Sequence, residues 1–280
     1  MTNKIETQID TVIVTPTLGD RPSLARTVET IASIGGDRVT HVLVCPQSCA
    51  DKLQLQFPKC QVLCEPKKTG VYGAVNYGLR NSIGGCQYLS YINDDDYWLP
   101  SYKNLFSILD RSPNIDLAYG RVNYVDEKDK LIFESTSSGN YKSFKSLIGR
   151  DVVLFTQQAV LMRSNVFEAL NGFDESYRLV ADTEFWIRAV ESTFKMAFHD
   201  ATCAAYMIQS GQLSGDLQLS SKETQRIKET HKITDDWRAL ASLIRFRIRN
   251  VPTYFRLWAK YGTFRSASVH ASARDNTLKA

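Results

Sequence analysis

With 280 residues the chain can bury a large core, as one big domain or as a domain plus an extension. Hydrophobic content of 43% and charged content of 23% are ordinary for a soluble globular protein, and a net charge of +4 is too modest to dictate a partner. No apolar run approaches the ~18–20 residues that span a bilayer, and Met1 to Asp10 lacks the apolar core of a signal peptide, so a cytosolic protein is expected.

Thr11-Val12-Ile13-Val14-Thr15 is β-branched and reads as a first buried strand. After the loop Pro16-Thr17-Leu18-Gly19-Asp20-Arg21, Pro22 opens a helix in which Leu24, Val28 and Ile31 recur at helical spacing, closed by Gly35-Gly36. His41 to Val44 and Gln61 to Leu63 read as strands, with a short helix over Asp51 to Leu55 between them. Gly70 to Leu79 begins as a loop and runs into a helix, and Tyr88 to Ile92 is another buried strand. Strands alternating with helices over the first 110 residues predict a doubly wound, mainly parallel α/β sheet. There is no Gly-x-Gly-x-x-Gly after the first strand and no Gly-Lys-Ser/Thr phosphate loop, so a nucleotide is held in another way.

The Tyr88–Ile92 run ends in Asn93-Asp94-Asp95-Asp96, and Pro100 suits the start of a following helix. Ligands of open parallel sheets sit beyond the carboxyl ends of strands. Three carboxylates there repel one another unless a cation or a protonation relieves them, and a hard divalent ion with oxygen ligands can also hold a diphosphate. The alternative is a solvated acidic turn.

Beyond a helix ending near Asp110, Ile115 to Tyr119 and Val122 to Val125 read as strands, with a hairpin turn at Asp126 to Asp129 leading to Leu131-Ile132-Phe133. Ser135 to Asn140 is small and polar, as a mobile loop would be. Gln157-Gln158-Ala159 lies in an apolar context within Val152 to Met162. Asp182, Phe185, Trp186 and Ala189 share one helical stripe. A carboxylate at the head of that stripe is either an N-cap or a general base aimed into a cleft. His199, in Phe198-His199-Asp200, is either a phosphate contact or a capped strand end. Six cysteines include the pairs Cys45/Cys49 and Cys60/Cys64; structural zinc sites use tighter spacing or pair Cys with His, so buried thiols are expected over zinc.

Taken together, Val12-Ile13-Val14-Thr15-Pro16-Thr17, Gly70-x-Tyr72-x-Ala74-x-Asn76-x-Gly78, Tyr91 to Pro100, and Gly172-Phe173-Asp174-Glu175 followed by Ala181-Asp182-x-x-x-Trp186-x-Arg188 resemble family 2 glycosyltransferases of the GT-A fold over residues 11–190. The resemblance implies an inverting transferase using a nucleoside-diphosphate sugar, a divalent Mn²⁺ or Mg²⁺ held by Asp95 with help from Asp94 or Asp96, and Asp182 as catalytic base. Donor-side candidates are Pro16, Thr17, Arg21, Cys45, Gly70, Tyr72, Asn76 and Asn93. Candidates for the acceptor or phosphate side are Gln158, Ala181, Trp186 and His199, and Arg188 is expected to pair with Asp174 or Glu184. The second strand of this family commonly ends in an aspartate that contacts the nucleobase; here Cys45-Pro46-Gln47-Ser48 follows, which leaves the donor base open.

Trp237 to Arg265 differs from everything before it: Arg238, Arg245, Arg247, Arg249, Arg256, Lys260 and Arg265 are basic and no residue is acidic. Arg238, Arg245 and Arg249 share one helical face, and Trp237, Leu240, Ile244 and Ile248 another, with Pro252 expected to break the helix. Such a two-faced helix lies in a membrane interface, here an anionic one; the alternative is a helix packed on the domain with its arginines in water, and nucleic acid is disfavoured by the apolar face. The expected layout is a GT-A domain over 1–234, split near 110 into nucleotide-sugar and acceptor halves, and a basic helical extension over 235–280. The expected activity is sugar transfer to a saccharide or lipid-linked acceptor at the inner face of the cell membrane. A nucleotidyltransferase, of which Gly19-Asp20-Arg21 is a faint echo, and a non-catalytic partner of the same fold are the competing classes.

Overall fold

The computed structural model describes residues 10–264 except 83, 210, 211, 213 and 214, together with residue 269. The Met1 to Asp10 expectation rests almost wholly on residues outside this set, as do Arg265 and nearly all of the tail after it.

The strands are β1 (Thr11–Pro16), β2 (Val39–Cys45), β3 (Gln61–Cys64), β4 (Tyr88–Tyr91), β5 (Tyr97–Trp98), β6 (Leu117–Val125), β7 (Leu131–Glu134), β8 (Val160–Arg163) and β9 (Met196–Met207). They form one sheet in the order β3-β2-β1-β4-β8-β6-β9-β5, with β7 paired to β6. The β1–β4 half is parallel and is crossed by α1 (Leu24–Gly35), α2 (Gln47–Gln56) and α3 (Val71–Ser82). β8 runs antiparallel to both β4 and β6, which joins this half to a mixed one. The largest core cluster lies between the sheet and α3, α5 (Phe144–Ile148), α6 (Ser164–Ala169) and α7 (Ala181–Glu191); α4 (Lys103–Arg111) covers a second cluster.

Two expectations are revised. Gly120 does not divide two strands: β6 is continuous, and the ladder to β9 absorbs the irregularity as a register shift on either side of Arg121. The 135–140 stretch is tied down, because Ser137 N–H donates to Asn250 Oδ1 and Tyr119 hydroxyl donates to Ser138 carbonyl, both serines being buried. Its small side chains serve close packing. The basic segment forms α9 (Trp237–Arg249) and α10 (Val251–Tyr261), divided at buried Asn250 with Pro252 in the first turn of α10. α9 packs on the domain through Ala239, Leu243 and Phe246, the last within the main core. The stripe Trp237, Leu240, Ile244 and Ile248 faces outward instead.

Candidate active site

A cleft opens at the carboxyl ends of β1 and β4, lined by Pro16, Arg21, Tyr72, Tyr91, Asn93, Asp94 and Asp95 together with Thr156, Gln157, Gln158, Arg178, Leu179 and Asp182. The acidic turn is held from below by α1 and the residue preceding it: Ser23 hydroxyl donates to the Asp94 carbonyl and Thr27 hydroxyl to the Asp96 carbonyl.

The three aspartates are relieved by protein donors, with Arg21 shared between Asp94 and Asp95. Thr17 hydroxyl donates to Asp94 Oδ2 at 2.7 Å, and Arg21 approaches Asp94 at 3.3 Å and Asp95 at 3.1 Å. The side-chain amides of Gln209 and Gln212 donate to Asp95 Oδ2 at 2.9 and 3.0 Å. Asp96 is 1% exposed and accepts from Gln158 Nε2 at 2.9 Å and from Met207 N–H at 3.0 Å. Burial, with the neighbouring Asp95 charge, pushes the Asp96 carboxyl well above the usual carboxylate range. Asp96 does not line the cleft, so it braces the turn against β9 and leaves Asp94 and Asp95 as the pair facing open space.

Among the described residues no group of three or more His, Cys, Asp or Glu side chains is arranged to hold a metal by itself. Two carboxylates are nevertheless a fitting protein share for Mg²⁺ or Mn²⁺, which take remaining oxygens from phosphates and water. Every donor to Asp95 converges on Oδ2; among the described residues Oδ1 receives none.

Asp182 stands half-buried in the first turn of α7, and its carboxyl is pushed up to about 6 by desolvation. Its Oδ1 accepts from Thr183 N–H at 2.7 Å and from Tyr72 hydroxyl at 3.2 Å. The Tyr72 hydroxyl also lies 2.9 Å from the Leu179 carbonyl, and its single proton serves one acceptor at a time. The Asp182 side chain does not cap α7 in the N-cap manner, since the N-cap residue is Val180 and no side-chain cap is made there. The loop before it is clamped by Glu223 of α8 (Leu217–Thr230), whose buried carboxylate accepts from the N–H groups of Arg178, Leu179 and Val180 at 2.7, 2.9 and 3.3 Å.

The cleft wall contains polar atoms with no partner among the described residues: Thr156 Oγ1, both amide atoms of Gln157, and Gln158 Oε1, with Trp186 Nε1 in the same condition on α7. Leaving a buried polar group unpaired costs about 1–3 kcal/mol.

Against this geometry, residues 12–170 match the family model described as "Glycosyl transferase family 2". The chain belongs to that family. No curated protein sequence matches it significantly. Among solved structures it resembles Staphylococcus aureus TarS residues 1–349 in complex with UDP-GlcNAc, with a TM-score of 0.61 and 14% identity over 96% of this chain and 81% of that one. It also resembles the same TarS fragment with UDP, with a TM-score of 0.59 and 12% identity over 86% and 71%. Against the TarS structure whose chain it covers by 43%, identity is 13% and the TM-score 0.59. These likenesses bear out the GT-A fold.

Of the residues expected in this family 2 member, the structure brings Pro16, Arg21, Tyr72, Asn93, Asp94, Asp95, Gln158 and Asp182 to one cleft, with Thr17 behind Asp94. Asn76 is withdrawn from the donor side: it exchanges hydrogen bonds with the backbone of Phe173 and donates to Glu175. Gly172 must be glycine there, with φ +75° and a Cβ position 2.6 Å from Asn76 Oδ1. The Cys45 side chain packs among Leu24, Leu43 and Leu53, and burial pushes its thiol up to about 12, so the thiol is no substitute for a nucleobase acid. All six cysteines are free thiols; Cys45, Cys60, Cys86 and Cys203 are buried as expected, whereas Cys49 and Cys64 are half-buried. Gly70, in the left-handed region, precedes α3 outside the lining, and Ala181 and Trp186 are buried behind it. His199 is neither at the cleft nor at a strand end; it lies within β9, 3.1 Å from Asn104. Arg188 pairs with Glu184 at 2.8 Å, as expected. Glu223, Gln209 and Gln212 were not foreseen, since only folding brings the glutamines to Asp95 and the glutamate to the Arg178–Val180 backbone.

Proposed function

We propose that this family 2 protein transfers a sugar from a nucleoside-diphosphate donor to a hydroxyl of a saccharide or lipid-linked acceptor, with inversion, at an anionic membrane surface. The observation that carries it is the pairing, in one cleft, of a half-buried carboxyl raised to about 6 at Asp182 with the Asp94/Asp95/Arg21 cluster. Asp182 takes the acceptor hydroxyl's proton as its oxygen bonds to the anomeric carbon, and the bond from that carbon to the diphosphate breaks on the opposite face. Arg21 lies where negative charge develops on the leaving group. Asp94 and Asp95 would hold a divalent cation, which when bound supplies further charge neutralisation there. The Tyr72 hydroxyl and the Glu223 clamp keep the base in place.

The membrane part of the reading is supported by α9 and α10. Among the described residues no helix is long and apolar enough to cross a membrane. Trp237, Leu240, Ile244 and Ile248 of α9 and Phe255 and Trp258 of α10 are exposed, with Arg245 and Arg249 exposed beside them. Each basic residue near an anionic surface is worth about 1 kcal/mol.

The test is a thermal-shift and calorimetric panel of UDP, GDP and dTDP with and without Mn²⁺. UDP comes first because the TarS structures bind UDP and UDP-GlcNAc. Mn²⁺-dependent stabilisation by one diphosphate, lost in Asp95→Asn with the fold intact, is expected. No response to any of them would overturn the assignment.

A further inference from the structure

Gln157 is 5% exposed, yet among the described residues neither end of its amide finds a hydrogen-bond partner, and it lines the cleft. Beside it, Thr156 Oγ1 and Gln158 Oε1 are in the same condition. Gln158 cannot turn away to satisfy itself, because its Nε2 holds Asp96. Buried polar groups are nearly always paired, so three adjacent residues with orphan atoms on one cleft wall point to a ligand that supplies the partners. The wall starts at the acidic turn, through the Gln158–Asp96 bond, and reaches α7, where the Phe155 and Trp186 rings meet at 5.6 Å one turn beyond Asp182.

We propose that Thr156 and Gln157, with Gln158 Oε1, form the subsite that reads the hydroxyls of the transferred sugar. The inference rests on the sugar-transfer reading above, which places the diphosphate at Asp94/Asp95 and the attacked carbon before Asp182; the sugar ring is the group between them. An amide offers one acceptor and two donors side by side. Two neighbouring ring hydroxyls match it: one donates to Gln157 Oε1 while the other accepts from Nε2. Thr156 can donate to or accept from a third. The ligand class is therefore a sugar bearing vicinal hydroxyls along this wall. Sites built to hydrogen-bond a hydroxyl discriminate strongly against analogues that lack it, because the site's own groups are then left unpaired.

Saturation-transfer NMR on the full chain with UDP-glucose, UDP-GlcNAc and GDP-mannose, each with Mn²⁺, reads sugar and base separately. In the wild type, ring protons of the preferred donor should be enhanced alongside the base protons. In Gln157→Leu the ring enhancement should fall by half or more while the base signal stays. The free variant's Tm should hold or rise, since an unpaired buried amide gives way to a hydrocarbon of similar size. A purely structural Gln157 would instead lower Tm and weaken base and sugar together, which would overturn the subsite. Unchanged ring enhancement in Gln157→Leu, or base signals without ring signals in the wild type, would overturn it too. No signal from any nucleotide in the wild type would overturn the sugar-transfer reading itself.

Discussion

Gln157, 5% exposed with both ends of its amide unpaired among the described residues, and Trp237, an indole 73% exposed on α9, misplace their chemistry in opposite directions. In the cleft, polar atoms sit where solvent is excluded; on the outer face of α9 and α10, apolar surface sits where solvent is not. Neither state is favourable for the free chain. Both are tolerated because the scaffold around them is well supported: the sheet is covered on both faces, and the acids of the turn each have donors. The two regions differ in reach. The cleft wall is a few atoms fixed by a strand end and a tight turn, suited to a small polyhydroxylated group. The helical face is long and bordered by arginines, suited to an extended anionic surface.

The comparison is tested most severely at Asp182, whose role gives the cleft its polarity. Asp182→Asn should retain donor binding and lose transfer by roughly 10²-fold or more, the scale of a lost general base. In the wild type kcat/KM should fall below pH ~6, because a base whose carboxyl is raised to about 6 is protonated there. A variant that loses Tm but keeps turnover would make Asp182 structural.

The helical face is tested next. Ending the chain at Thr234 would also strip Phe246 from the main core and Asn250 from the Ser137 loop, so loss of function there would be ambiguous. Replacing the exposed Trp237, Phe255 and Trp258 by serine leaves those anchors in place. Co-sedimentation with anionic vesicles should drop about tenfold with Tm unchanged, and wild-type attachment should weaken in high salt. Equal sedimentation of variant and wild type would remove the membrane from the account.

Much of this could be read from the chain before folding. The Asp94–Asp96 turn and the Asp182 stripe are local patterns, in which neighbours in sequence are also neighbours in space. The strand–helix alternation fixed the parallel half for the same reason. What was illegible depends on what packs where. The apolar stripe of α9 is visible at helical spacing, but spacing cannot say that Ala239, Leu243 and Phe246 take the inward side. Asn76 looks like a ligand contact in sequence, and only the approach of Gly172 and Phe173 shows where its amide goes. Gln157 and Gln158 are adjacent and identical in type, yet one amide nitrogen finds Asp96 and the other finds nothing.

Glu223 sharpens the cleft side with a smaller effect. Glu223→Ala would leave three backbone N–H groups near Asp182 without their acceptor, costing about 1–3 kcal/mol in stability. If the clamp also positions the base, kcat should fall by more than KM rises, and Glu223→Gln, which keeps an acceptor, should recover part of it. A loss confined to Tm, with kcat intact, would reduce the clamp to scaffolding.

The smallest effect expected is the pH dependence of stability, because desolvated carboxyls and a desolvated histidine pull in opposite senses. Asp94 and Asp182 are raised to about 6 by burial, and Asp96 is raised as well. Their folded forms bind protons before their unfolded forms do, so each adds stability as pH falls from about 6 toward the ordinary carboxylate value, worth about 1.4 kcal/mol per pH unit at most. His41 works against them. It is buried beside Thr15, and desolvation lowers it to about 3, so the unfolded chain takes up a proton below about 6.5 that the folded chain refuses. Asp110, Asp174 and Glu191, held below their usual range, subtract only nearer pH 4. Between pH 6 and 5 the aspartates outnumber the histidine, and the free protein should gain modestly in Tm, by a few degrees at most. Replacing His41 with Gln should steepen that rise, and a Tm that falls on acidification in this variant would mean the cleft carboxyls are ionised in the free protein.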